Sequence, residues 1–279
     1  MNQLTEVSET ALITLRSRAI ESQKAKPLLP DPMGNELFQR ISEALPADLR
    51  KRILERKLSP VLTSHIALRA RKYDTLCRQF LEENPDGLVV SLGAGFDTRY
   101  WRLGGKDLNY LELDLPAVVR TKKSLLGDRI SYPLLDDSVL DEEWIQKVSK
   151  IQSARVLFLA EGLFMYLPGQ EVIHTLGRIA DSFQSSRLVM EVVAEKYTRG
   201  FRKKMVERKM RKGAGSTAGD YYQFGIRKAA ELESYHPGIK IAGEWSYFED
   251  PDIRPAFLKL FRYSRALSKT QYSVIADIN

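Results

Sequence analysis

The sequence predicts an α/β fold on a mostly parallel sheet, and three observations predict it. Short apolar runs alternate with helical stretches between Leu88 and Val193, as strands alternate with crossover helices. The first run, Leu88 to Leu92, opens directly into Gly93, Ala94 and Gly95, a turn that lets the backbone come close to a ligand. The next run, Tyr110 to Leu113, leads into Asp114 about 20 residues after that turn, where such sheets place an acid for a ribose.

The elements follow in order. A helical region, residues 1–84, precedes the sheet and forms a cap. Within it Thr10–Ser22 carries Leu12, Leu15 and Ala19 on one side. A break at Pro27, Pro30 and Pro32 leads to short helices over Glu36–Leu45 and Ala47–Leu58. A long helix starts after Pro60, with Leu62, Ile66, Tyr73, Leu76 and Phe80 in one apolar stripe. Residues 85–279 form the sheet domain. Strands are expected at Leu88–Leu92, Asn109–Leu113, Arg129–Leu134, Arg155–Ala160 and Arg187–Val193, with helices at Pro116–Leu126, Asp141–Val148 and Gly169–Phe183. Residues 195–235 read as a basic, helical insertion after the fifth strand. Ile239–Trp245 and Thr270–Ile278 read as strands flanking a helix near Arg254–Leu267.

Composition narrows the class. The chain has 279 residues, of which 43% are hydrophobic and 28% charged, an ordinary globular balance. One cysteine, Cys77, and three histidines give no disulfide framework and no metal cluster. No apolar run reaches the ~18 residues of a membrane span, and Met1 to Glu9 is polar, so neither a membrane anchor nor a secretory signal is expected. The expected location is the cytoplasm. The net charge of +7 favours acidic partners. Much of it lies between Lys196 and Lys212, which reads either as a solvated helix face or as a binding surface.

The glycine turn argues against one large class. A dinucleotide site needs a third glycine where this chain has Thr98, which argues for a ligand without a pyrophosphate. Glu112 and Asp114 both stand near the end of the second strand, and either can accept a ribose. Arg69 falls inside the apolar arc of the long helix while Arg71 falls roughly opposite. A guanidinium on a buried face either pairs with a carboxylate or phosphate or stretches its head to water.

With these residues assembled, the chain resembles the leucine carboxyl methyltransferase family, including its bacterial polyketide O-methyltransferase branch. The resemblance covers roughly residues 10–170. It rests on Arg16 to Ser22 with Asp31 and Pro32, on Leu68 to Arg71, and on Leu92 to Arg99 followed by Trp101 to Leu103. Glu112 to Pro116 with Lys122, and Glu161 to Leu167, complete it. It implies a Rossmann-like, seven-stranded class I sheet with an antiparallel C-terminal strand, and S-adenosylmethionine (SAM) as cofactor. Arg69 would hold the SAM carboxylate, Gly93 the methionyl part, Asp114 the ribose, Asp136 the adenine edge and Glu161 the amino group. Ala94, Gly95, Leu115 and Gly162 complete the set. A basic residue of the first helix joins them, either Arg16 or Arg18, the second also standing as a substrate contact.

The implied activity is O-methylation of a small-molecule acceptor. A carboxylate acceptor is already ionised at pH 7 and needs no base, whereas a phenol of pKa ~10 does. His65, His174 and His236 form no recognisable base constellation, which favours a carboxylate. Tyr166 either orients the acceptor or is a core aromatic. Tyr221, Tyr222 and Phe224 are expected to shape the acceptor pocket. The competing readings are a nicotinamide-dependent oxidoreductase, opposed by Thr98, and an RNA-binding protein, opposed by the lack of an aromatic-basic recognition motif.

Overall fold

The computed structural model describes residues 9–151, 153, 155–213 and 221–279. The stretch before Glu9 and residues 214–220 of the insertion lie outside them.

Four helices precede the sheet: α1 (Glu9–Ser22), α2 (Pro32–Ala44), α3 (Ala47–Leu54) and α4 (Pro60–Glu83). Two of them start at capped prolines. Asp31 accepts from the Gly34 N–H ahead of Pro32, and Ser59 accepts from the Leu62 N–H ahead of Pro60. Leu12, Leu15, Leu37, Ile41, Leu49 and Ile53 from the first three helices bury together with Phe96, Val118 and Leu126. The cap therefore packs directly on the loop after the first strand.

The remaining elements are β1 (Leu88–Leu92), α5 (Arg99–Arg102), β2 (Tyr110–Leu113), α6 (Pro116–Leu126), β3 (Leu134–Leu135), α7 (Glu143–Ser149), β4 (Val156–Ala160), α8 (Gly169–Ser182) and β5 (Ser186–Val193). They continue with α9 (Gly200–Gly213), β6 (Ile239–Trp245), α10 (Arg265–Ser268) and β7 (Gln271–Ile278). The sheet runs β3-β2-β1-β4-β5-β7-β6, parallel throughout except that β7 is antiparallel to both β5 and β6. Alternate residues feed two layers. Val90, Leu92, Phe158 and Met190 pack towards Trp144, Leu176 and Ile179 of α7 and α8. Val89, Leu157 and Val189 pack towards Tyr73, Cys77 and Phe80 of α4.

The strand order reverses at β1, whose neighbours are β2 on one side and β4 on the other. In open sheets a ligand crevice lies at the carboxyl ends of the strands at such a switch point. Gly93 follows the end of β1 and Glu161 follows the end of β4, so the topology sets both at the crevice.

Two expectations need correction. The strand expected over Arg129–Leu134 is only Leu134–Leu135. Gly127–Arg129 closes as a 3-10 turn, and Pro133 has no N–H to give a ladder, although its carbonyl accepts from Glu112 N at 3.1 Å. The helix near Arg254–Leu267 is a 3-10 segment, Ala256–Tyr263, separated from α10 by an extended Ser264. Within the insertion Gly200–Gly213 forms α9, and outside the expected elements Arg99–Arg102 forms a one-turn helix.

Candidate active site

Three elements build the crevice. At the end of β1 the chain turns through Gly93 (φ 59°) and Gly95 (φ 56°), backbone that favours glycine. A Cβ on Gly93 would stand 2.6 Å from Leu163 Cδ1, so the site needs a hydrogen there. Beyond β2, Asp114 accepts from Gly95 N at 2.6 Å and from Leu115 N at 2.7 Å, which locks the acid to the glycine turn. Burial raises the Asp114 carboxyl, and these two backbone donors offset part of the rise. Glu112 points elsewhere: it is buried against Lys122 Nζ at 2.6 Å. The strand ends between the two acids, so alternation along it no longer relates them.

The third element is Arg69 on α4. Its Nε donates to Glu161 at 2.8 Å and its Nη1 to Glu191 at 2.8 Å. Burial opposes its charge, but Glu191 and Glu161 outweigh burial and keep the guanidinium protonated. Glu161 also receives Arg99 Nη2 at 2.5 Å; burial would raise its carboxyl, yet Arg69 and Arg99 prevail and hold it low. Beneath the turn, Arg99 and Arg102 share Asp74 and Asp97, and Arg102 reaches Asp31. Every arginine in this layer has a carboxylate, which is the condition for burying such charges at all.

The glycine turn, Asp114, Arg69, Glu161, Asp97 and Arg99 face one cavity of about 850 Å³. Gly93, Ala94, Gly95, Asp114 and Leu115 line one end of it. Arg69, Glu161 and Gly162 line its wall, with Tyr166 and Tyr222 nearby. Arg18 lines it too, held by Asp31 at 3.2 Å and by the Phe96 carbonyl at 2.7 Å. Such a volume lies within the range of small-ligand sites, roughly 300–1,000 Å³.

Other expected residues stand apart from it. Arg16 turns to α3, donating to the carbonyls of Ile53 (2.5 Å) and Arg56 (2.6 Å), where it closes the helix end. Asp136 is exposed in the loop after β3 and is not part of the cavity wall. Phe224 is buried in the main core, where an apolar ring belongs, and Tyr221 beside it does not reach the wall. Arg71, expected opposite the buried face, is half-buried and pairs with Asp250 (2.7 Å) and Asp252 (2.8 Å).

Sequence reasoning missed His65, Glu191 and Gln271. His65 lies on the cavity wall, stacked on Tyr247 with centroids 4.0 Å apart. Burial, helped by Arg69, lowers its pKa to about 3, so it is neutral at pH 7. Gln271 at the start of β7 donates to Glu191 at 2.7 Å and accepts from the Tyr222 hydroxyl at 3.4 Å.

Where a dinucleotide turn needs its third glycine, Thr98 is fully buried with its hydroxyl on Asp31 at 2.6 Å. A switch-point crevice built in this way, with a buried threonine in place of the third glycine, is that of a class I SAM-dependent methyltransferase. The chain belongs to the leucine carboxyl methyltransferase family, whose model matches residues 11–180. It is 29% identical over 257 residues to the tetracenomycin polyketide synthesis O-methyltransferase of Streptomyces glaucescens, covering 91% of this chain and 88% of that one. A SAM-dependent methyltransferase of Gibberella zeae is 32% identical over 196 residues, 68% of this chain and 65% of its own. Among solved structures, a SAM-dependent methyltransferase of Anabaena variabilis aligns with 74% of this chain and 82% of its own, at 16% identity and a TM-score of 0.48.

Proposed function

We propose that the chain transfers a methyl group to an oxygen of a small organic acceptor, and that this oxygen belongs to a carboxylate. The observation that carries the choice of acceptor is His65. It is the histidine on the cavity wall, and with a pKa of about 3 it is a poor base. Taking a proton from a phenol of pKa ~10 would then be uphill by roughly 10 kcal/mol. A carboxylate, with a reference pKa near 4, arrives without its proton. The likeness to an O-methyltransferase of polyketide synthesis supports oxygen as the acceptor atom.

The residues fit SAM. The glycine turn supplies a close backbone approach, and Asp114 presents a fixed carboxylate to ribose hydroxyls at the same end. Arg69 and Glu161, paired to each other at 2.8 Å, offer one cation and one anion to an amino-acid moiety, which carries the opposite pair. Bound SAM supplies a methyl already activated on a sulfonium. The work left to the chain is alignment, which can contribute about 7–11 kcal/mol in favourable cases. Tyr166 and Tyr222, with ring centroids 5.6 Å apart, flank the acceptor end and orient the carboxylate. Arg18 adds positive charge to the wall that an anionic acceptor must pass. The helices α1 to α4 act as the lid over this space.

The test is methyl transfer from isotopically labelled SAM into an extract of small carboxylic acids and phenols, followed by mild base. Label released by base marks a methyl ester and supports the reading. Label that survives base marks an ether and overturns the carboxylate assignment.

A further inference from the structure

The chain carries a second cavity, of about 570 Å³, beside the carboxyl end of β5. No residue described as lining it also lines the first. Strand β7 is the partition. Gln271 faces the first cavity and Tyr272 the second, because successive strand residues point to opposite faces of a sheet.

Its wall is strongly one-sided in charge. Lys196, Arg199, Arg227, Lys228, Arg265 and Lys269 line it, against the two carboxylates Glu195 and Glu244. Both carboxylates are already taken, Glu195 by Arg199 at 3.1 Å and Glu244 by Lys269. Arg227 is held by Glu231 at 3.1 Å, outside the wall, and Lys196 Nζ donates to the Ala266 carbonyl at 3.2 Å. Lys228 and Arg265 have neither an ion pair nor a side-chain hydrogen bond among the described residues. The floor is different: Ala194 and Ala266 present apolar surface there, backed by the buried Ile226 and by Tyr272, whose ring lies 4.6 Å under Lys269 Nζ. A concave wall of one sign over a low-dielectric floor focuses the potential and concentrates counter-ions.

We infer that this cavity is a second binding site, for a small organic phosphate. Lys228 and Arg265 grip the phosphate, and the apolar body of the ligand rests on Ala194 and Ala266. The volume suits a small molecule, since such pockets run to roughly 300–1,000 Å³. The site also gives a task to Lys196 and Arg199, the start of the basic segment that methyl transfer leaves unused.

The probe is phenyl phosphate, titrated calorimetrically into the full chain at low ionic strength, with and without saturating S-adenosylhomocysteine. Saturable binding is expected, unchanged by S-adenosylhomocysteine and weakened at least about tenfold in the double variant K228E/R265E. Inorganic phosphate should bind more weakly, lacking the body that meets the floor. Because both substituted residues are exposed, the variant should keep the S-adenosylhomocysteine affinity of the wild type. The inference is overturned by no saturable binding up to about 10 mM, by equal binding in the variant, by displacement with S-adenosylhomocysteine, or by inorganic phosphate binding as tightly.

Discussion

The carboxylate of Glu191 meets the guanidinium of Arg69 at 2.8 Å, deep in the wall between β5 and α4. The same carboxylate accepts from Gln271 at 2.7 Å, so one acid on β5 ties the long helix to the antiparallel strand. Arg69 in turn holds Glu161 at the end of β4. The wall of the cavity is set by this chain of charges more than by shape alone.

Glu191→Ala should therefore be costly. It removes a partner from a buried charge, a change worth about 3–5 kcal/mol. Urea denaturation should show a loss of unfolding free energy of that size. Glu191→Gln keeps the hydrogen-bonding shape and should lose less, and a loss below about 1 kcal/mol in the alanine variant would show that Arg69 finds water instead.

Gly93→Ala should abolish cofactor binding with the fold retained. The new Cβ would meet Leu163 Cδ1 at 2.6 Å, and the φ of 59° costs a non-glycine residue roughly 1–2 kcal/mol. Adding Leu163→Ala relieves the contact and not the dihedral. The double variant should then recover part of the S-adenosylhomocysteine affinity, as read by calorimetry. Full recovery would mean that the backbone conformation contributes nothing.

His65 gives a pH dependence with a definite sign. Its folded pKa is about 3, against 6.5 in an unfolded chain. Above pH 6.5 it is neutral in both states and contributes nothing. As pH falls below 6.5 the unfolded chain takes up the proton and the folded chain refuses it, so stability is drained down to pH about 3. Between pH 6.5 and 5 the wild type should approach an extra slope of ~1.4 kcal/mol per pH unit relative to His65→Phe, which keeps a ring on Tyr247. Parallel stability curves in that window would contradict the burial of a neutral imidazole.

Much of the fold was legible because its signals are local. The runs that form β1, β2, β4 and β5 are largely apolar stretches, bounded by turns, and buried parallel strands need little else. β3 was overextended because a two-residue edge strand beside Pro133 leaves almost no pattern. Of the residues that line the cavity, Gly93 and Arg69 stand out in the sequence as breaks in apolar patterns, while the choice of Asp114 over Glu112 comes from the family resemblance. Glu191 leaves the same kind of signal, a charge inside the run from Leu188 to Val193, but its partner Arg69 lies 122 residues away in sequence. Arg16 and Arg18 could not be separated without neighbours. Two positions apart on a helix they lie ~200° around the axis, so only one can face the glycine turn. His65 was hidden because its stacking partner, Tyr247, comes from the far end of the chain.

The most direct test is calorimetric titration of S-adenosylhomocysteine into the wild type and into Asp114→Asn. The substitution puts an amide where the Gly95 and Leu115 N–H groups now meet a carboxylate at 2.6 and 2.7 Å. One-to-one binding by the wild type, weakened at least about tenfold in the variant, is the result expected of a ribose acid at the tip of β2. Equal affinity in both proteins, or no binding by the wild type, would contradict the assignment of this cavity to SAM.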